Sequence, residues 1–297
     1  MGTARRSAVS KIGANLGSSR NAPFVVPFTS APTNPKSFTA EELLATCRPA
    51  GVGRVNLIQM SFYVGSSPIS KFGNELDNRY MLDMIKHYPD RFVGTAIVDP
   101  LGNDPGGEME KLQRRGVRAF RIHPQYSKQP PGRWLEPPGY KSMFATAART
   151  GQALSCLIDP SGFSEVDRMC RLYPETKVII DHLGRIGGDG VIRAADIQSL
   201  GALAAHPKVF IKVGAFYALG KKTPPYLDLG PLIRQVVQAF GARRCMWESD
   251  CPFQVVSHRY ADSIALIRER LDFLSKDDRD WLLFRTAEEV LFRAHRS

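Results

Sequence analysis

No histidine precedes His87, no Asp or Glu occurs in residues 1–40, and no two of the five cysteines form a CxxC pair. Each absence excludes something. Cys47, Cys156, Cys170, Cys245 and Cys251 are odd in number and irregular in spacing. That argues against a disulfide framework or a zinc ribbon, and for free thiols in a reducing compartment such as the cytoplasm. No apolar run approaches the roughly 18 residues of a membrane span, so no membrane partner is expected. No GxGxxG motif follows a strand: "GVGR" (51–54) precedes one and lacks the third glycine. "GRIGGDG" (184–190) follows a strand but matches neither that motif nor a phosphate loop. The net charge is +11, yet no basic stretch is interleaved with aromatics. A single-strand groove needs that pattern, so no nucleic acid is expected as a partner.

What is present divides the chain in two. Residues 1–36 are rich in Ser, Gly and Arg and have little apolar periodicity, as in "ARRSAVSKIGANLGSSRNAP". They read as a disordered tail, and the acid-free composition also fits an organelle transit peptide. The remaining residues, 37–297, hold most of the apolar content and are long enough for one large α/β domain. At its start, Thr39 stands three residues before Glu42 and ahead of an apolar run, a capping box that predicts a helix.

Short β-rich runs then alternate with amphipathic stretches. The predicted strands are 54–60, 92–99, 117–123, 153–159, 177–183, 209–215 and 244–250. Two helices, about 258–274 and 277–293, close the chain. Such alternation predicts a parallel sheet, either doubly wound or a (β/α)8 barrel. With seven strands at even pitch, a helix before the first and no dinucleotide fingerprint, a (β/α)8 barrel is favoured. A unit that begins with its helix has lost its strand, and an upstream strand would bring the count to eight.

Catalytic groups of such barrels sit at the C-terminal ends of the strands. Polar residues there are therefore candidates. Arg121 and His123 share one face of the third strand at period two. His182 ends the fifth strand, with Arg185 just beyond. Lys212 lies on the sixth, which leads to Tyr217, and it points either inward or outward. Gln59 and Ser61 follow the first strand. Asp250 ends the seventh in "CMWESDCPF", two residues past Glu248, a candidate buried partner. The plain reading of Asp250 is a helix cap, and of each histidine a hydrogen-bonded structural residue. Taken as one site, a carboxylate acts as base on water, histidine and arginine polarise a carbonyl, and arginine grips a carboxylate. That is a hydrolase site for a small anionic ester, lactone or amide.

Five segments carry a family likeness: "KSFTAEELLATCRPAGVGRVNLIQMSFY" (36–63), "DNRYMLDMIKHYPDRFVGTAIVDP" (77–100), "GVRAFRIHPQ" (116–125), "VIIDHLGRIG" (178–187) and "MWESDCPFQV" (246–255). They resemble the amidohydrolase-related proteins of the amidohydrolase-2 type. That group includes 2-pyrone-4,6-dicarboxylate lactonase and metal-dependent decarboxylases. The resemblance implies a distorted (β/α)8 TIM-like barrel and a lactonase-like hydrolase in which Asp250 is the catalytic base and His182 lies near the substrate carbonyl. It also implies that Arg121 binds substrate. Two departures qualify it. The His-x-His of the family's first strand has no counterpart, so that strand is missing or replaced by "APFVVPF" (22–28), and 64–76 reads as an insertion. A hydrolase without cofactor is the resulting expectation. The alternatives are a catalytically inactive binding or scaffold protein, and a decarboxylase or amidase using a divalent metal such as zinc.

Overall fold

The computed structural model describes residues 38–59 and 78–293. The tail, "APFVVPF", Ser61 and the 64–76 segment lie outside the described residues. The capping box forms as predicted. Thr39 Oγ1 accepts the Glu42 N–H at 3.2 Å and Glu42 Oε2 accepts the Thr39 N–H at 2.6 Å, opening α1 (Ala40–Cys47).

Seven strands follow: β1 (Val55–Ile58), β2 (Phe92–Ala96), β3 (Val117–Ile122), β4 (Ala153–Cys156), β5 (Lys177–Ile180), β6 (Val209–Gly214) and β7 (Cys245–Glu248). Each pairs in parallel with its sequence neighbours, in the order β1 to β7. The helices α2 (Arg79–His87), α3 (Pro105–Gln113), α4 (Pro138–Thr150), α5 (Phe163–Leu172), α6 (Ala194–Ala202) and α7 (Gly230–Phe240) connect them. The sheet curls into a distorted TIM barrel, and among the described residues no strand joins β7 to β1. Every strand stops short of its predicted end. β5 breaks at Ile180 because His182, Leu183, Gly184 and Arg185 all take left-handed backbone, with φ between 54° and 62°. No described helix is long and apolar enough to cross a membrane.

The two faces of the sheet differ in chemistry. Phe120, Ile122, Leu154, Val178, Ile180, Val209 and Ile211 point outward into the main core with the helices. Inside, Val93, Ala119, Ala153, Ile179 and Met246 form an apolar layer with Phe210 beside it. Two residues further along each strand, the same face carries Thr95, Arg121, Ser155, Asp181, Glu248 and Lys212. An apolar floor thus underlies a polar storey nearer the strand ends.

The floor is closed by the end of the chain. After α8 (Tyr260–Ala265), helix α9 (Lys276–Asp280) runs on through wider π turns to Phe292. Val290 and Leu291 pack onto the inner apolar layer. Arg54, just before β1, bonds both Glu288 oxygens at 2.9 and 2.7 Å and lies 4.2 Å over the Phe292 ring. The closure is mainly apolar, so Leu291→Ala should cost about 2–4 kcal/mol. Glu288→Ala, at an exposed pair, should cost at most about 1 kcal/mol. Chemical denaturation of both variants checks the order, and equal losses would contradict it.

Candidate active site

The polar storey is a continuous ionic network. Asp181, fully buried one residue past β5, accepts from Ser155 Oγ at 2.7 Å and meets Lys212 Nζ at 2.8 Å and Arg121 Nη2 at 3.0 Å. Burial alone would favour the neutral acid, but Lys212 and Arg121 hold its carboxyl well below the usual range. Lys212 also stands 3.6 Å from Glu248 Oε2 and 3.4 Å from Ser155 Oγ. The lysine therefore points inward, which settles its direction. In a parallel sheet both faces are buried, so periodicity alone left that open.

Glu248 carries the network up to His182. Its Oε1 accepts the His182 backbone N–H at 3.0 Å and the Nδ1–H at 2.5 Å. Burial opposes charge on His182, but Glu248, Asp250 and Asp181 outweigh it and raise its pKa. Glu248 is correspondingly lowered: burial pushes it up, and His182 and Lys212 more than reverse that. Both shifts favour the imidazolium–carboxylate form of the pair. Gly214 makes room for it, since a Cβ there would lie 2.3 Å from Glu248 Cγ.

The other imidazole nitrogen, Nε2, is 3.9 Å from Asp250 Oδ2. Asp250 sits two residues past β7 with φ 50°. The same oxygen accepts a hydrogen bond from Tyr217 OH at 2.7 Å. Tyr217 stacks on Phe253, with centroids 6.5 Å apart and planes 19° apart. Non-glycine residues avoid positive φ at a cost of roughly 1 kcal/mol or more each. His182, Leu183, Arg185, Ala215 and Asp250 all accept it here, at the turns after β5, β6 and β7. Those turns re-aim side chains that a continuing strand would place alternately in and out.

The remaining sequence candidates are placed as follows. Arg121 is buried, and Asp181, Asp250 and Glu248 overcome its burial to raise its pKa further. Its Nε has no hydrogen-bond partner among the described residues. His123 accepts the Gln125 N–H at Nδ1, 3.1 Å away, and burial with the Arg185 and Arg121 charges pushes its pKa down to about 3. It is a neutral imidazole beside two guanidiniums. Arg185 Nε lies 3.1 Å from Asp159 Oδ1. Gln59 stands one residue past β1, its backbone N–H bonded to Thr95 at 2.8 Å. Tyr217, a strand-end candidate in the sequence, donates its hydroxyl to Asp250. Asp181 and Asp159 were not among the sequence candidates. Asp181 adjoins His182, and Asp159 stands at period two from Ser155 on β4, so both were within reach of the strand-end argument.

A divalent metal such as zinc needs three or four converging donors. Among the described residues no group of three His, Cys, Asp or Glu side chains is placed to hold one, and His182 Nδ1 is taken by Glu248. As placed here, the described residues do not fit a metal centre.

The amidohydrolase family model matches residues 65–293, well over half of the chain. The chain belongs to the amidohydrolase family. This amidohydrolase is 25% identical over 211 residues to an L-fucono-1,5-lactonase of Burkholderia ambifaria, covering 69% of each chain. Its fold is similar to a crystal structure of a probable 2-pyrone-4,6-dicarboxylic acid hydrolase from Acinetobacter baumannii with citric acid bound. There the TM-score is 0.72 at 21% identity, over 89% of this chain and 93% of that one. It is also similar to an amidohydrolase from Burkholderia multivorans with bound zinc, with TM-score 0.69 at 15% identity over 86% and 89% of the two chains.

The His182–Glu248 pair predicts a measurable titration. A histidine raised in the fold stabilises it fully below the ordinary value of about 6.5, and the contribution is lost as pH rises through the folded value. Glu248→Gln should bring the His182 pKa down, as followed by NMR of the imidazole carbons. An unchanged titration would show that Glu248 does not hold the proton there.

Proposed function

We propose that this amidohydrolase hydrolyses the ring ester of a small, carboxylate-bearing lactone. One observation carries the reading: the Asp250 carboxylate and His182 Nε2 stand 3.9 Å apart, each held from behind, by Tyr217 and by Glu248. In this reading Asp250 takes a proton from water as the oxygen attacks the carbonyl carbon. The carbonyl pair of electrons moves onto oxygen. The His182 imidazolium, with Arg121 close by, stabilises that oxyanion. Collapse breaks the ring C–O bond, and the departing alkoxide takes the proton from Asp250, leaving a hydroxy acid and the starting enzyme. Arg185 and the neutral His123 hold the substrate's carboxylate. The L-fucono-1,5-lactonase relative supports a cyclic ester as the bond broken.

Asp250→Asn should lower kcat at least about 10²-fold, the scale of general base catalysis, in a chain that still folds and unfolds cooperatively. The test is a pH-indicator assay across a panel of lactones with and without a carboxylate. The reaction needs His182 protonated, so the rate should fall as pH rises through its raised pKa, above about 6.5. Full activity in Asp250→Asn would sink the assignment.

A further inference from the structure

Among the described residues, Arg185 is the one arginine at the strand ends whose carboxylate partner faces water. The Arg185 side chain is 5% exposed, that of Asp159 53%. The contact is close, at 3.1 Å, but Nε does not make a well-aligned hydrogen bond in it. The other buried cations are tied differently. Arg121 and Lys212 share Asp181, which is fully buried. Asp159 begins the short turn Pro160–Gly162 without a capping hydrogen bond from its side chain. Nothing in its own turn requires a carboxylate.

The pair adjoins the site: Arg185 lies in the same left-handed turn after β5 as His182, three residues on. Its charge is felt by His123, and Tyr217, the partner of Asp250, acts on it in turn. An anion at Arg185 is therefore bound beside these groups. Burial lowers the Arg185 pKa, with Asp159 next in influence and opposing, and the guanidinium stays charged. A buried guanidinium left without a carboxylate is costly. Asp159, half in water, is a weakly held partner, so exchanging it for a ligand carboxylate that meets the fork squarely is favourable.

We propose that Asp159 is a resident counter-ion of Arg185 that the carboxylate of an anionic substrate displaces. This rests on the lactonase reading of the same site and deepens it: the substrate bears a carboxylate, and binding is an exchange of one carboxylate for another. Asp159 swings into solvent, Arg185 keeps a partner throughout, and neutral lactones cannot trigger the exchange.

The test is calorimetric titration of the full chain with citrate, a small polycarboxylate, at constant pH and ionic strength. Removing a competitor worth about 1 kcal/mol raises affinity about five-fold. Asp159→Asn and Asp159→Ser should each bind citrate that much more tightly than the parent chain. Arg185→Gln should bind at least about ten-fold more weakly than Asp159→Asn, and the double variant Asp159→Asn with Arg185→Gln should match Arg185→Gln alone. Citrate binding unchanged or weakened in both Asp159 variants, or absent from every variant, overturns the proposal. Turnover plays no part in this readout. Exchange with no lactone hydrolysis would defeat the hydrolase reading alone, and hydrolysis with no exchange would defeat the counter-ion alone.

Discussion

The burial of charge beneath the strand ends is the constraint on which the site depends. Arg121, Lys212 and His182 face Asp181, Glu248 and Asp250 in a space from which water is largely excluded. Any one of these charges alone would cost several kcal/mol. Arranged in sequence they satisfy one another, and the balance of three cations and three carboxylates is nearly neutral. That balance also bears on the proton of His182: against burial, Glu248 raises the imidazole pKa, while His182 and Lys212 lower that of Glu248.

The network sits where it does because the inner face of the sheet changes character within two residues on each strand. Below lies an apolar floor of small and medium side chains, and above it the polar storey. The left-handed turns after β5, β6 and β7 then lift His182, Tyr217 and Asp250 out of the strand register. Their backbone cost is borne by the packing around them, as at Gly184, where a Cβ would meet the Phe163 ring at 2.3 Å. Rigid strands set the heights of the groups, and strained turns set their directions.

Much of this was legible in the sequence, and the part that was not has identifiable causes. The seven strands, their parallel sense and the capping box at Thr39 follow from alternation and spacing. The strand ends were drawn too long because apolar content continues past the last ladder bond, and positive φ at His182 or Asp250 leaves no signature in a non-glycine residue. Glu248 was visible as a neighbour two residues from Asp250, whereas the inward direction of Lys212 was not, since a strand covered on both faces hides its inside. Asp159 and Asp181 were passed over because an acid after a strand reads first as a turn residue. Their meaning depends on Arg185, Arg121 and Lys212, which come from other strands.

The closure of the floor by the last helix has a consequence for how the chain is made. Arg54 and Glu288 are 234 residues apart, yet they clasp the two ends of the structure together. On the ribosome, β1 to β7 emerge before the residues that cover their inner apolar layer. Until Val290 and Leu291 are free of the exit tunnel, the nascent sheet presents Val93, Ala119, Ala153, Ile179 and Met246 to solvent. A parallel sheet with its interior open is a species prone to association. The sheet therefore cannot complete its fold until the last helix has emerged, and the interval between synthesis of β7 and of that helix is when a chaperone matters most to this chain.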